Sequence, residues 1–203
     1  MSELGFKKIK LSDYVGYTPL IPITIGEITV WAKCEFMNPS GSVKDRMATF
    51  IINNAEKEGL ISKGGTICEA TSGNSGISFA MLAAERGYNM VIIMPSNMSE
   101  ERKQMFQHYG AKLIEVGEGD FDGAIALRDE MCENKGWFNP NQFHNPLNIQ
   151  AHYIGTGPEI YNDYQQCRGE GCSPDVFVAG TGTGGTIMGV DKFLKELWFN
   201  IKT

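Results

Sequence analysis

The sequence predicts an α/β fold built on doubly wound, mostly parallel sheets. Three observations carry that expectation. Strand-patterned and helix-patterned segments alternate along most of the chain, the links between them are short, and Gly or Pro punctuates their ends. Residues 28–35 alternate loosely and read as a strand. Residues 42–58 read as a helix, because Met47, Phe50, Ile51 and Ala55 recur at helical spacing; Ser42 is the expected N-cap, Asp45 follows three residues later, and Gly59 ends it. Residues 66–69 form a short strand and 75–86 a helix stopped by Gly87. Residues 90–94 are a buried-type strand stopped by Pro95, and Asn97 with Glu100 makes a capping-box signature for a helix to about Tyr109. Strand 112–116, helix 122–134, a loop, helix 150–164, strand 176–179 and helix 186–197 complete the pattern.

The totals narrow the function. The chain has 203 residues, enough for one large domain or two small ones. It is 42% hydrophobic and 21% charged, an ordinary globular balance. A net charge of −6 argues against nucleic acid as the main partner, because phosphate backbones need a basic stripe. The N-terminus has no apolar signal-peptide core and no stretch is apolar enough to span a membrane, so a cytoplasmic location is expected. Five scattered cysteines read as reduced thiols. Cys167 and Cys172 lack the further ligands of a zinc site, and His108, His144 and His152 show no metal spacing, so no metal is expected.

In parallel α/β sheets, ligands bind beyond the carboxyl ends of the strands. Three strand-to-helix loops there are chemically unusual. The first, Asn38-Pro39-Ser40-Gly41-Ser42-Val43-Lys44-Asp45-Arg46, puts Lys44 in a first helical turn. The partial positive charge at a helix start disfavours a cation and lowers its pKa, which favours the free amine that Schiff-base chemistry needs. On this loop alone a solvated lysine is an equal alternative. The second, Glu69-Ala70-Thr71-Ser72-Gly73-Asn74-Ser75-Gly76, offers more donors at a helix start than one cap requires, which suits an anion such as a carboxylate. The third, Gly180-Thr181-Gly182-Thr183-Gly184-Gly185-Thr186, is a phosphate-loop candidate. It lacks the lysine of a nucleoside-triphosphatase loop, and its spacing does not fit a dinucleotide fingerprint. A phosphate cradle, a carboxylate cradle and a Schiff-base lysine together match pyridoxal 5'-phosphate bound to an amino acid.

These segments also carry a resemblance. NPSGSVKDR, EATSGNSGIS, PSNMSEERKQMFQHYGAKL and GTGTGGT resemble, in order and spacing, motifs of the fold-type II pyridoxal-phosphate enzymes of the cysteine synthase and cystathionine β-synthase family, and the similarity runs from about Tyr17 to Leu194. The resemblance implies a tryptophan synthase β-like fold in two domains. Residues 1–45 plus 143–203 would form the large cofactor-binding domain, and 46–142 the small mobile substrate domain. It implies that Lys44 holds the cofactor as a Schiff base and later removes the substrate α-proton. Asn74 would contact the cofactor's ring hydroxyl oxygen. Thr71, Ser72, Asn74 and Ser75, with Gln142, would hold the substrate carboxylate, Ser75 standing where threonine is usual. Gly182, Thr183, Gly184, Gly185 and Thr186 would bind the phosphate. The implied reaction is β-replacement making L-cysteine from O-acetylserine and sulfide. Serine or O-phosphoserine as substrate, and a truncated, non-catalytic cofactor-binding remnant, are the alternatives. Homodimerisation and docking of serine acetyltransferase are family expectations. Family members continue well past the helix after the phosphate loop. The large domain is therefore expected to be incomplete at the C-terminus, with an exposed sheet edge, Trp198 and Phe199 uncovered, weaker folding and low activity.

Overall fold

A computed structural model describes residues 9–198 and 200–203. Its centre is a parallel sheet of three strands, β3 (Thr66–Ala70), β4 (Asn89–Pro95) and β5 (Lys112–Val116), in the order β3-β4-β5. Phe138 extends it beyond β3 by one parallel bridge to Ile67. The near-continuous apolar run of β4 is what a strand buried on both faces requires. Alternate side chains go to opposite faces. Ile67, Met90, Ile92 and Met94 join one core with Met47 and Ile51 of α1 (Lys44–Lys57), Phe79 and Leu82 of α2 (Asn74–Arg86) and Phe106 of α3 (Glu100–His108). Cys68, Val91 and Ile93 join a second core with Ala124 and Cys132 of α4 (Phe121–Lys135). This part of the chain is doubly wound, as the sequence predicts.

The flanking segments depart from expectation. A hairpin of β1 (Leu20–Ile25) and β2 (Ile28–Lys33) pairs antiparallel from Leu20↔Lys33 to Ile25↔Ile28. The sequence predicts only the second of these strands. Pro22 interrupts the pattern of the first, and a two-stranded ribbon tolerates it because both strands are edges. Residues 176–179 do not form the expected strand. Val176 makes a single bridge to Lys202, and Val178 is 83% exposed. Beyond Lys202 no described strand is there to pair with them. The expected helix 150–164 is instead α5 (Leu147–Ala151), a π-helical turn (His152–Thr156) and α6 (Gly157–Arg168). Pro158 at the start of α6 removes a backbone donor where the wider turn relaxes.

Two caps also differ. The N-cap of α1 is Val43, and Ser42 instead accepts a hydrogen bond from the Lys44 N–H through its hydroxyl. The N-cap of α3 is Ser99, while Asn97 accepts from Gly119 N across to the next loop.

The third core joins Val190 and Leu194 of α7 (Gly185–Leu197) to Ile201. Trp198 is half-buried against it, its ring centroid 5.1 Å from Tyr161 and 5.7 Å from Tyr164, so it is not uncovered as expected. Phe199 lies outside the described residues. Close packing of α7 on the π turn depends on Gly189, where a Cβ would lie 2.4 Å from the Ile149 carbonyl and 3.0 Å from Tyr153 N. Backbone cannot step aside as a side chain can. Gly189→Ala is expected to cost ~1–3 kcal/mol by overpacking, read as a lower melting temperature. An unchanged melt would contradict this packing.

Candidate active site

Lys44 is the first residue of α1 and lines a cavity of about 280 Å³. Its pKa is lowered, and the cause is desolvation by burial. The direction agrees with the sequence expectation, and burial supplies it. Thr71, Ser72, Asn74, Ser75, Gln142, Gly182 and Thr183 line the same cavity. Ile93, Pro95, Phe121 and Ile125 give it an apolar wall. Residues more than 100 positions apart in sequence are thus brought around one amine.

The carboxylate-loop candidate lies between the end of β3 and the start of α2. Thr71 N donates to the Ile93 carbonyl at 3.1 Å, which fixes the loop against β4. Gly73 is the N-cap of α2 and has no side chain to cap it, so the first N–H groups of the helix remain free to bind an anion. Ser75 donates its hydroxyl proton to Gln142 Oε1 at 2.5 Å. Gln142 in turn donates its N–H to Glu69 Oε2 at 3.2 Å. Glu69 is fully buried and paired with the buried Arg128 at 2.8 Å. A charge pair under the sheet thereby fixes the loop that carries Gln142. His144, near Gln142, is exposed and does not line the cavity.

The glycine loop meets the cavity through Gly182 and Thr183 only. Gly184, Gly185 and Thr186 lie behind it as the N-terminus of α7. Gly184 is the N-cap at φ +81°, a left-handed conformation suited to glycine, and no side chain caps the helix. A Cβ at Gly180 or Gly182 would meet nothing within 4 Å, so the loop leaves open space outside an uncapped helix start. At Gly185 a Cβ would lie 1.9 Å from Asn148 Oδ1. Asn148 is buried and donates to both Thr183 Oγ1 (2.8 Å) and the Gln142 carbonyl (3.0 Å). It joins the glycine loop to the Gln142 loop. Sequence reasoning missed it, since an asparagine in the short helix α5 carries no local signal for a contact 35 residues away.

His152 is fully buried in the π turn. Its Nδ1 lies 2.9 Å from Thr156 Oγ1 and its Nε2 3.2 Å from Thr186 Oγ1. Burial, then the nearby Lys44 and Arg46 charges, lower its pKa to about 4, so the ring is neutral near pH 7. A histidine with a lowered folded pKa contributes stability above its unfolded pKa. That contribution is lost as pH falls from about 6.5 through about 4, because the unfolded chain takes the proton first. Stability is expected to fall by up to about 3 kcal/mol across that window from this group. Urea melts of wild type and His152→Asn at several pH values check it, since the variant should lose this part of the acid sensitivity. Parallel pH profiles would contradict it.

Among the described residues, no group of three or more His, Cys, Asp or Glu could hold a metal ion, and no helix is long and apolar enough to cross a membrane. The cysteines Cys34, Cys68, Cys132, Cys167 and Cys172 are all free thiols.

The family model for pyridoxal-phosphate dependent enzymes matches residues 11–203, and the chain belongs to that family. It is 42% identical over 197 residues to a cysteine synthase of Staphylococcus aureus (strain Mu50 / ATCC 700699), covering 95% of this chain and 62% of the relative. The structure of O-ureido-L-serine synthase superposes with a TM-score of 0.89 at 38% identity, covering 95% of this chain and 60% of that one. A hydrogen sulfide-producing enzyme from Fusobacterium nucleatum superposes at 0.88 with 41% identity, covering 100% and 66%. The chain therefore spans about three fifths of the length of such relatives. Its fold is of the tryptophan synthase β-like type. The residues present fit the family's cofactor, pyridoxal phosphate: a desolvated amine faces one open, uncapped helix start for an amino-acid carboxylate, and a second lies behind the glycine loop for a phosphate.

Proposed function

We propose that the chain carries the cofactor lysine and the two anion loops of a pyridoxal-phosphate-dependent β-replacement enzyme, making L-cysteine from O-acetylserine and sulfide. The observation that carries this reading is the convergence of Lys44, the 71–75 loop, Gln142 and the glycine loop on one cavity. When bound, the cofactor withdraws electrons from the substrate Cα, so that an α-proton can leave and a β-substituent can depart.

The chain's residues supply the rest. Lys44 Nζ, whose pKa burial lowers toward the free amine, anchors the cofactor and then takes the α-proton. Backbone N–H groups at the start of α2, that of Ser75 among them, with the hydroxyls of Thr71 and Ser72 and the amides of Asn74 and Gln142, bind the substrate carboxylate, while the Ser75 hydroxyl orients Gln142. Asn74 also reaches the cofactor's ring hydroxyl oxygen. Gly182, Thr183, Gly184, Gly185 and Thr186 hold the phosphate at the start of α7. Thr183 receives its hydrogen bond from Asn148, which leaves its own hydroxyl proton for a phosphate oxygen. The apolar wall of Ile93, Phe121 and Ile125 excludes water from the reacting carbons. Residues 46–142 act as the mobile substrate domain and close on the cofactor domain of residues 1–45 plus 143–203. The enzyme works in the cytoplasm as a homodimer, with serine acetyltransferase as a further partner.

The cysteine synthase relative supports O-acetylserine as the activated serine. Serine, O-phosphoserine and other β-substituted alanines fit the same carboxylate loop. The experiment supplies O-acetylserine, serine and O-phosphoserine in turn to the cofactor-loaded chain with sulfide and measures cysteine. Cysteine formed fastest from O-acetylserine is expected. Equal or faster use of another serine would overturn the substrate assignment. Cofactor uptake with no turnover on any would indicate a cofactor-binding remnant.

A further inference from the structure

Asp45 follows the candidate cofactor lysine and is fully buried. Sequence reasoning gave it only a helix-start role. Its carboxylate instead collects three donors from two directions. Oδ2 accepts from Ser40 N at 2.7 Å, and Oδ1 accepts from the hydroxyls of Ser40 and of Ser78, the latter at 2.5 Å. Ser40 belongs to the loop that delivers Lys44. Ser78 lies one helical turn below Asn74 in α2, and its oxygen is also 3.0 Å from the Asn74 carbonyl. Ser40 Oγ and Ser78 Oγ are 3.1 Å apart and close the triangle.

At the ends of α1 and α2 away from the cavity, Arg86 donates to Asn53 Oδ1 at 2.8 Å and to Glu56 Oε2 at 3.0 Å. Between those ends and Asp45 the two helices meet through apolar side chains, including Met47, Ile51, Phe79 and Leu82, which resist sliding weakly because volume-conserving rearrangements cost little. Charge-assisted hydrogen bonds are directional and short, and in a buried setting leaving one unmade is costly. The Asp45 cluster therefore fixes the register of α1 on α2 near the ends that face the cavity.

We propose that Asp45 is a positioning residue that sets the placement of the Lys44 amine relative to the amino-acid carboxylate loop, acting through Ser40 on one side and Ser78 on the other. Asp45 touches neither substrate nor cofactor in this account. It rests on the proposed function for what the two loops bind, but the mechanical coupling between them does not depend on that reading.

The test uses the full chain and the variants Ser78→Ala and Asp45→Asn. Alanine is a strong helix former, so Ser78→Ala removes one link while keeping α2. Amide hydrogen exchange is measured first without cofactor. Ser78→Ala is expected to accelerate exchange in residues 38–46, on the far side of the link, as well as in α2. Acceleration confined to α2 would overturn the proposal.

The cofactor-loaded proteins are then titrated with L-serine, followed by visible absorbance. Both variants are expected to bind the amino acid about tenfold more weakly, a typical coupling between linked sites, with the affinity for pyridoxal phosphate itself unchanged. Amino-acid affinity equal to wild type would also overturn it, as would an equal loss in both affinities, which marks general destabilisation. A wild-type chain that takes up no pyridoxal phosphate would instead defeat the proposed function, and the exchange experiment would still decide the role of Asp45.

Discussion

Lys44→Ala is expected to abolish the visible absorbance near ~410–420 nm that pyridoxal phosphate gains when joined to a lysine. It is also expected to lower the proposed β-replacement by at least ~10³-fold, the scale of a lost general base compounded by a lost anchor. The reason is geometric before it is chemical. Among the described residues Lys44 is the one lysine lining the cavity, and the donors able to hold a carboxylate surround it. The same substitution should leave folding intact or slightly improved, because burial already works against the lysine's charged form. Spectra and thermal melts of the two proteins side by side separate the effects. A variant that keeps the absorbance would show that another amine holds the cofactor. A variant that merely unfolds would show that Lys44 is structural.

The second large effect is on stability. Glu69 and Arg128 form an ion pair at 2.8 Å with side chains essentially inaccessible to water. Burial raises the Glu69 pKa, opposed by the Arg128 charge beside it. Glu69 also accepts from Ala70 N at 2.9 Å and from Gln142 N. Arg128→Ala leaves the carboxylate buried without its counter-ion and is expected to cost ~3–5 kcal/mol. For a chain of this size that is a fall in melting temperature of roughly 6–20 °C. The double variant Glu69→Gln, Arg128→Met removes both charges and keeps most of the volume. It should recover much of the loss, since a buried pair is often no better than a well-packed neutral replacement. Equal loss in single and double variants would mean that packing and not charge is at stake. Because Gln142 hangs from Glu69, Arg128→Ala should also weaken amino-acid binding at the cavity that Gln142 lines.

The parts of this molecule that were legible in the sequence are those whose cause is local. The β3-α2-β4 and β4-α3-β5 units announce themselves by apolar runs, helical spacing and glycine stops, and they fold as expected. Lys44, the 71–75 loop and the glycine loop stand out in the sequence as contiguous stretches at helix starts, and the structure brings them to one cavity. What stayed hidden depends on distant partners. Asn148 matters only because Thr183 and Gln142 come to it. Arg46, in the first turn of α1, is buried between Glu35 and Glu159, at 2.7 and 2.6 Å, and joins α1 to α6. Those carboxylates raise its pKa against the desolvation that lowers it, so it stays charged. The strand expected at 176–179 failed for the converse reason. Its local pattern was right, but a ladder needs a neighbour, and Lys202 offers it only one bridge.

The proposed chemistry depends above all on the cavity amine of Lys44 as the cofactor anchor. The direct measurement is to incubate the chain with pyridoxal phosphate, reduce with borohydride to make the link permanent, digest, and map the labelled lysine by mass spectrometry. The account predicts a single major site, Lys44, with labelling suppressed when Lys44 is replaced. Labelling spread over surface lysines, or unchanged in the Lys44→Ala chain, would contradict it.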